Sequence, residues 1–267
     1  MLCTRNCATA CARAVRLRHS ATAFVVSCEH ASNRVPRELR RAFRGRSRLL
    51  AGHEGYDRGA LEFARALARE LNAPLFAGTV SRLVVDLNRS RHHPALVSPH
   101  IRRLPGAQKT KLLAAYYFPY RQAIQAAIAR GIRRGDRVCH FSCHTFTPVR
   151  DGVRRNAEIA LLYDPARTCE REICASLRAS LVETGLRVRR NHPYRGVADG
   201  LTTYLRRAIP GAAYAGIEIE INQSLLRAGW PRLRRDLVHR CAETMLRCAA
   251  PRERQAGPAK SCLPGRD

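Results

Sequence analysis

Short β-branched or apolar runs alternate along this chain with longer amphipathic stretches. Runs that are continuously apolar or follow a period of two predict strands over residues 23–28, 74–77, 82–87, 137–143, 157–163, 186–190 and 214–221. Apolar positions recurring every three to four residues predict helices over 57–71, 109–133, 168–184 and 232–249, with a shorter one near 199–207. Strands separated by helices make crossover units, so the expected architecture is a single α/β domain whose mostly parallel mixed sheet is flanked by helices. The order of the strands is not encoded in this pattern. Both ends depart from it. Residues 1–20 contain no acid, are rich in Arg and Cys and lack the apolar stretch of a signal peptide, so they read as a flexible extension or an organelle-type targeting peptide. Residues 251–267 are short of apolar residues and rich in Pro, Gly and charge, which predicts a disordered tail. The folded unit is therefore expected over 21–250.

Composition narrows the class. A length of 267 residues suits one domain with a sizeable core. No run approaches eighteen apolar residues, so a soluble protein without a membrane partner is expected. The 11 cysteines are odd in number and irregularly spaced in a chain far larger than disulfide-stapled domains, which points to a reducing cytoplasm. Cys3, Cys7 and Cys11 recur every four residues, a spacing that does not match iron–sulfur patterns. The formal charge of +27 admits a different class altogether, a non-catalytic protein that holds nucleic acid or another polyanion. Against it, the only lysines are Lys109, Lys111 and Lys260, and the arginines are spread over almost every segment instead of forming one basic arm. No specific nucleic-acid partner is expected, although such a surface attracts small acidic molecules.

In open α/β sheets ligands bind outside the carboxyl ends of strands, so polar residues that follow strand runs carry the candidate chemistry. Four points stand out. The run ending at Cys28 delivers His30 and Asn33 into a loop that closes at Pro36. The run 82–87 ends in Asp86, Asn88 and Arg89; a guanidinium fork suits a carboxylate, and Asp86 could hold that fork or its loop, the rival reading being a plain strand-end salt bridge. On 137–143, alternation places His140 and His144 on one face, with His144 at the exit and His140 deeper, as a structural histidine. On 214–221, Glu218 and Glu220 share a face, where carboxylates are costly unless paired or near a metal. Glu220, nearer the exit, is the catalytic candidate, and Glu218 serves equally well as an arginine's partner. Two imidazoles, an acid and a free carboxylate are the ingredients of a catalytic zinc site. His30 and His144 supply two ligands. Asp57 is preferred to His53 as the third, because it opens the following helix and could be both N-cap and ligand; a plain cap is the competing reading. Glu220 then relays the water's proton to the departing amine.

Six blocks in one order carry a family resemblance: Cys28 through Asn33, His53 through Ala60, Val85 through Arg89, His144 through Pro148, Asn191 through Gly196, and Glu220 through Asn222. Together they resemble the N-formylglutamate amidohydrolases over roughly residues 24–226 and, more distantly, the zinc carboxypeptidases. The resemblance implies a zinc exopeptidase-like (phosphorylase/hydrolase-like) fold and a cytoplasmic enzyme of histidine degradation that turns N-formyl-L-glutamate into formate and L-glutamate. It implies zinc or another divalent cation on His30 and His144, Glu220 as general base and acid, and Asn88 with Arg89 as a carboxylate clamp for a small acidic N-acyl amino acid. Carboxypeptidases carry a ligating glutamate three residues after the first histidine. That position is Asn33 here, a poor zinc ligand, so the third ligand moves to Asp57 and Asn33 is left among the substrate contacts. The segment 191–204 fits a substrate-covering loop that turns Tyr194 or Arg195 inward, with Gly196 and Gly200 allowing bends, or else an ordinary connection. Carboxypeptidase-like cleavage of short peptides or of cell-wall amides uses the same metal site and remains the alternative. The oligomeric state is not legible.

Overall fold

A computed structural model describes residues 21–209 and 211–249; the expected extension over 1–20 and tail over 251–267 lie outside them. In chain order the elements are β1 (Thr22–Cys28), α1 (Ser47–Ala51), α2 (Ala60–Glu70), β2 (Leu75–Ala77), α3 (Gly106–Leu112), α4 (Phe118–Arg133), β3 (Arg137–Phe146), β4 (Val149–Arg150), β5 (Val153–Arg154), β6 (Ile159–Leu162), α5 (Thr168–Val182), β7 (Val188–Arg190), α6 (Leu201–Ala208), β8 (Tyr214–Asn222) and α7 (Trp230–Ala249). The main sheet runs β2-β1-β3-β8-β6-β7. Its β2, β1, β3 and β8 are mutually parallel, while β6 lies antiparallel to β8 and carries β7 parallel to itself. The chain thus folds as a single α/β domain with a mostly parallel mixed sheet flanked by helices.

Alternation along the central strands sorts side chains into two unlike faces. Val26 and Cys28 of β1, Cys139, Phe141 and Cys143 of β3, and Ala215, Ile217, Ile219 and Ile221 of β8 point into one apolar cluster under α2, α5 and α7. Burying each large aliphatic or aromatic side chain there contributes about 1.5–3 kcal/mol. The opposite face, under α4 and α6, starts apolar with Val25, Val138 and Tyr214. It then turns polar along each strand, through Ser27, then His140, Ser142 and His144, then Glu218 and Glu220, all buried. In register, His144 lies beside Glu220 and Ser142 beside Glu218. This polar face is what the fold presents to the site.

Three sequence expectations are corrected. Residues 82–87 are not a strand: Val84 N–H closes a turn onto Ser81 O (2.8 Å), and Asp86 N–H goes to Leu96 O (2.8 Å). Val84, Val85 and Leu87 fill a separate cluster with Leu39, Phe43, Ile101 and Tyr117; a continuous apolar run signals burial without specifying strand pairing. The helix expected over 109–133 is broken by a π turn at Leu113–Tyr117, after which Pro119 opens α4. Proline has no N–H to give the preceding turn, so the ladder cannot run through it. Asp57 does not cap α2; the cap position belongs to Gly59, with φ +82, a left-handed backbone that glycine adopts without strain. The short hairpin β4–β5 was not anticipated. It turns on Asp151 and Gly152, both with positive φ, the dipeptide that favours such turns.

Candidate active site

The site lies where β1, β3 and β8 end and their loops meet. Past Cys28, Glu29 continues the polar alternation of β1, and the next residue, His30, leaves the sheet. His144 ends the polar row of β3. Asp57 sits in the loop before α2, held by its own N–H on His30 O (2.9 Å). His30, Asp57 and His144 are all buried, and their ligating atoms lie within 4.8 Å of one another. The two imidazoles meet edge to face with centroids 4.9 Å apart. Both turn Nδ1 toward one atom, Asp57 Oδ2, at 3.3 Å from His30 and 2.9 Å from His144.

Their outer nitrogens explain this pose. His30 Nε2 donates to Asp86 Oδ1 (2.7 Å), and His144 Nε2 donates to Ser142 Oγ (2.9 Å), whose own hydrogen goes to Glu29 Oε2 (2.6 Å), a carboxylate oxygen 3.0 Å from the ring nitrogen. Ionised carboxylates only accept, so both rings carry hydrogen on Nε2. A neutral ring then aims its Nδ1 lone pair at a carboxylate oxygen, a repulsive contact unless a positive charge lies between. Glu29, Asp57 and Asp86 bring three negative charges, offset in part by Arg82, bonded to Asp86 at 2.8 Å, and by Arg89 at 3.9 Å. The negative charge that remains is met by protonated imidazole or by a divalent cation between neutral rings. Donors around tetrahedral zinc stand about 3.3 Å apart, since each bond is about 2.0–2.1 Å, so the two spacings from Asp57 Oδ2, 3.3 and 2.9 Å, suit such an ion. Acidic partners on the outer imidazole nitrogens are how proteins orient metal-binding histidines.

The carboxyl groups of the cluster are unlike one another. Burial opposes the charge of Glu29, but hydrogen bonds from His144 and Ser142 outweigh it and hold the group far below the usual carboxylate range. Asp57 is likewise held low against burial by His30 and His144, and Asp86 by Arg82 and His30. Burial depresses both imidazoles, and Arg82 depresses His30 further, yet the facing carboxylates win and raise both. Glu220 has no such support. Burial pushes it up to about 7; His144 pulls it down, while Asp57 and Glu218 add to the rise. Its Oε2 is buried without a hydrogen-bond partner among the described residues.

A cleft of about 170 Å³ opens over this cluster, lined by His30, Asp57, His144 and Glu220 below and by Asn88, Arg89, Tyr194 and Arg195 around it. The structure therefore brings together all the expected site residues except Asn33, which is exposed and does not line the cleft. His53 lines the cleft but stands outside the His30–Asp57–His144 group. Asn88 Oδ1 accepts from Leu201 N–H (2.7 Å) while its Nδ2 lies 3.4 Å from His144 Nε2. Asp86 steadies His30 more closely than Arg89, whose Nε is 3.9 Å away. Glu218 has taken a hydroxyl, Thr202 Oγ1 at 2.6 Å, not an arginine. Sequence reasoning missed the roles of Glu29 and Asp86 in orienting the imidazoles, and Arg150 on the cleft wall. The acid directly before His30 was the available signal for Glu29.

The profile of a family described as N-formylglutamate amidohydrolase matches residues 22–227. A crystal structure of a gene product from Agrobacterium tumefaciens superposes with a TM-score of 0.73 at 27% identity, covering 87% of this chain and 93% of that one. The N-formylglutamate amidohydrolase of Ralstonia eutropha superposes with a TM-score of 0.66 at 21% identity, covering 85% of this chain and 95% of that one. No curated protein sequence matches the chain.

Proposed function

Since this chain belongs to the N-formylglutamate amidohydrolase family and is thereby a hydrolase of amide bonds, we propose that it deacylates a small acidic N-acyl amino acid in the cytoplasm. The type reaction is N-formyl-L-glutamate plus water to formate and L-glutamate, a step of histidine degradation. One observation supports this reading above the rest: two Nδ1 atoms and a carboxylate converge on one point, beside a buried carboxyl oxygen that no group among the described residues engages. A divalent cation such as zinc, held by His30, Asp57 and His144, supplies Lewis acidity and a water of lowered pKa.

The chain's own residues do the rest. Glu220 accepts the proton of the attacking water and passes it to the amide nitrogen as the C–N bond breaks, so that glutamate leaves as an amine and the acyl group as formate. Arg89 and Asn88 engage a substrate carboxylate; Arg195, Tyr194 and Arg150 stand along the rim. A volume of about 170 Å³ is small beside the roughly 300–1,000 Å³ of pockets for drug-sized ligands, which favours a small amino-acid derivative over a peptide or a cell-wall strand. Seven free cysteines among the described residues suit a reducing compartment, and no helix among them is long and apolar enough to cross a membrane. The test is metal analysis of the purified protein combined with a formate-release assay. Chelator should abolish release and zinc restore it, and Glu220→Gln should keep the metal while losing about 10²–10⁴-fold in rate. Release indifferent to chelator removes the metal from the reading. Nucleic-acid binding that falls steeply with salt, in a protein that releases no formate, favours the polyanion-binding class instead.

A further inference from the structure

Arg121 of α4 is only 5% exposed, yet among the described residues its guanidinium meets no carboxylate. Nη1 donates to two carbonyls, Leu87 O at 3.1 Å and Arg89 O at 3.2 Å. Nη2 is buried without a hydrogen-bond partner among those same residues. The charge rests instead against aromatic rings, 5.0 Å from the Tyr117 centroid and 4.4 Å from that of Tyr204, and Tyr117 donates its hydroxyl to the same Arg89 carbonyl at 2.9 Å. An unpaired buried cation is costly, and the two carbonyls it grips flank Asn88. We propose that Arg121 is a positioning residue for substrate recognition: from behind the cleft it fixes the Leu87–Arg89 backbone so that Asn88 and Arg89 meet one substrate carboxylate together.

This inference rests on the carboxylate-clamp reading above, and its role is confined to that contact. In the metal-loaded enzyme Arg121→Gln should raise KM for N-formyl-L-glutamate roughly tenfold with kcat within about threefold, the pattern of lost uniform binding. Arg121→Lys should recover part of that loss, and Tyr117→Phe should raise KM about threefold. Toward an N-formyl amino-acid derivative with both carboxylates blocked as amides, all three variants should match the wild type, which a general loss of structure would not allow. An unchanged KM in the variants, or equal losses on both substrates, overturns the proposal; if the Arg121 variants do not fold, Tyr117→Phe alone decides. Calorimetric titration with L-glutamate separates this inference from the proposed reaction. Wild-type protein that binds L-glutamate but releases no formate sinks the reaction and leaves the variants' affinities to judge Arg121. If it binds neither molecule, clamp and positioning residue fall together.

Discussion

His140 and His144 stand four residues apart on the same face of β3 and are both buried, at 0% and 3% exposure, yet they live in opposite electrostatic surroundings. His140 lies between two hydroxyls, Ser27 Oγ at 2.7 Å and Tyr214 OH at 2.9 Å. Burial pushes His140 down to about 4; Glu29 pulls against it, and Arg206 and His144 add to the fall. His144 lies between two carboxylates, Asp57 and Glu29, which overcome the same burial and hold it well above its ordinary value. The neighbouring strand reinforces the contrast. Beside His140 it offers Gly216, where a side chain would strike the Tyr214 hydroxyl at 2.6 Å, and beside His144 it offers Glu220. Residue type, strand and face are shared; what differs is whether the loops beyond the strand ends bring acids to the ring.

Removing each ring in turn separates the two surroundings by experiment. His144→Ala should lose bound metal by elemental analysis and lower formate release on the order of a thousandfold or more. His140→Ala should keep its metal and instead lower stability by about 1–3 kcal/mol in urea unfolding, because the Ser27 and Tyr214 hydroxyls are left unpaired in the interior. If His144→Ala retains stoichiometric metal, its imidazole is not a ligand and the contrast loses its functional meaning. A finer cut leaves both rings in place. Glu29→Gln keeps the shape and the hydrogen bond to Ser142 but removes the charge behind His144, and should weaken metal affinity about 10–100-fold in a chelator competition. An unchanged affinity would mean that Glu29 serves packing only.

The same contrast marks what the sequence could disclose. β1, β3 and β8 were legible because apolar residues occupy every second position on one face, and the polar residues left over on the other face, His144 and Glu220 among them, pointed to the site. Residues 82–87 misled because their apolar run records burial, and their cluster with Leu39, Phe43 and Tyr117 is assembled from loops and an irregular helix that no period announces. In the sequence Asp57 reads as a helix cap, a place that Gly59 takes; its position in the cluster comes from its N–H on the His30 carbonyl, a contact between loops. The bracing of His30 by Asp86 and of His144 by Glu29 joins residues 56 and 115 positions apart, and no local pattern carries that. Asn33, by contrast, lay within the same short loop as His30, yet the chain turns it outward.

Acid offers the mildest probe, because it acts on His140 without altering any side chain. Folded, His140 titrates near 4, and an unfolded histidine near 6.5. Between those values the unfolded chain binds a proton that the folded chain refuses, so this group costs no stability above about pH 6.5 and destabilises the fold progressively as pH falls toward 4. From pH 7 to pH 5 the loss attributable to it is about 2 kcal/mol. His144 runs the other way: its raised value favours protonation when folded, so acid alone does not eject that ring. The carboxylates and the metal also titrate, which makes the difference between wild type and His140→Ala the informative quantity. At pH 7 the variant should be the less stable by urea unfolding, and by pH 5 the gap should shrink by about 2 kcal/mol. A gap that stays constant over this interval would mean that His140 is not held neutral by its burial, and the physical distinction between the two histidines of β3 would have to be drawn elsewhere.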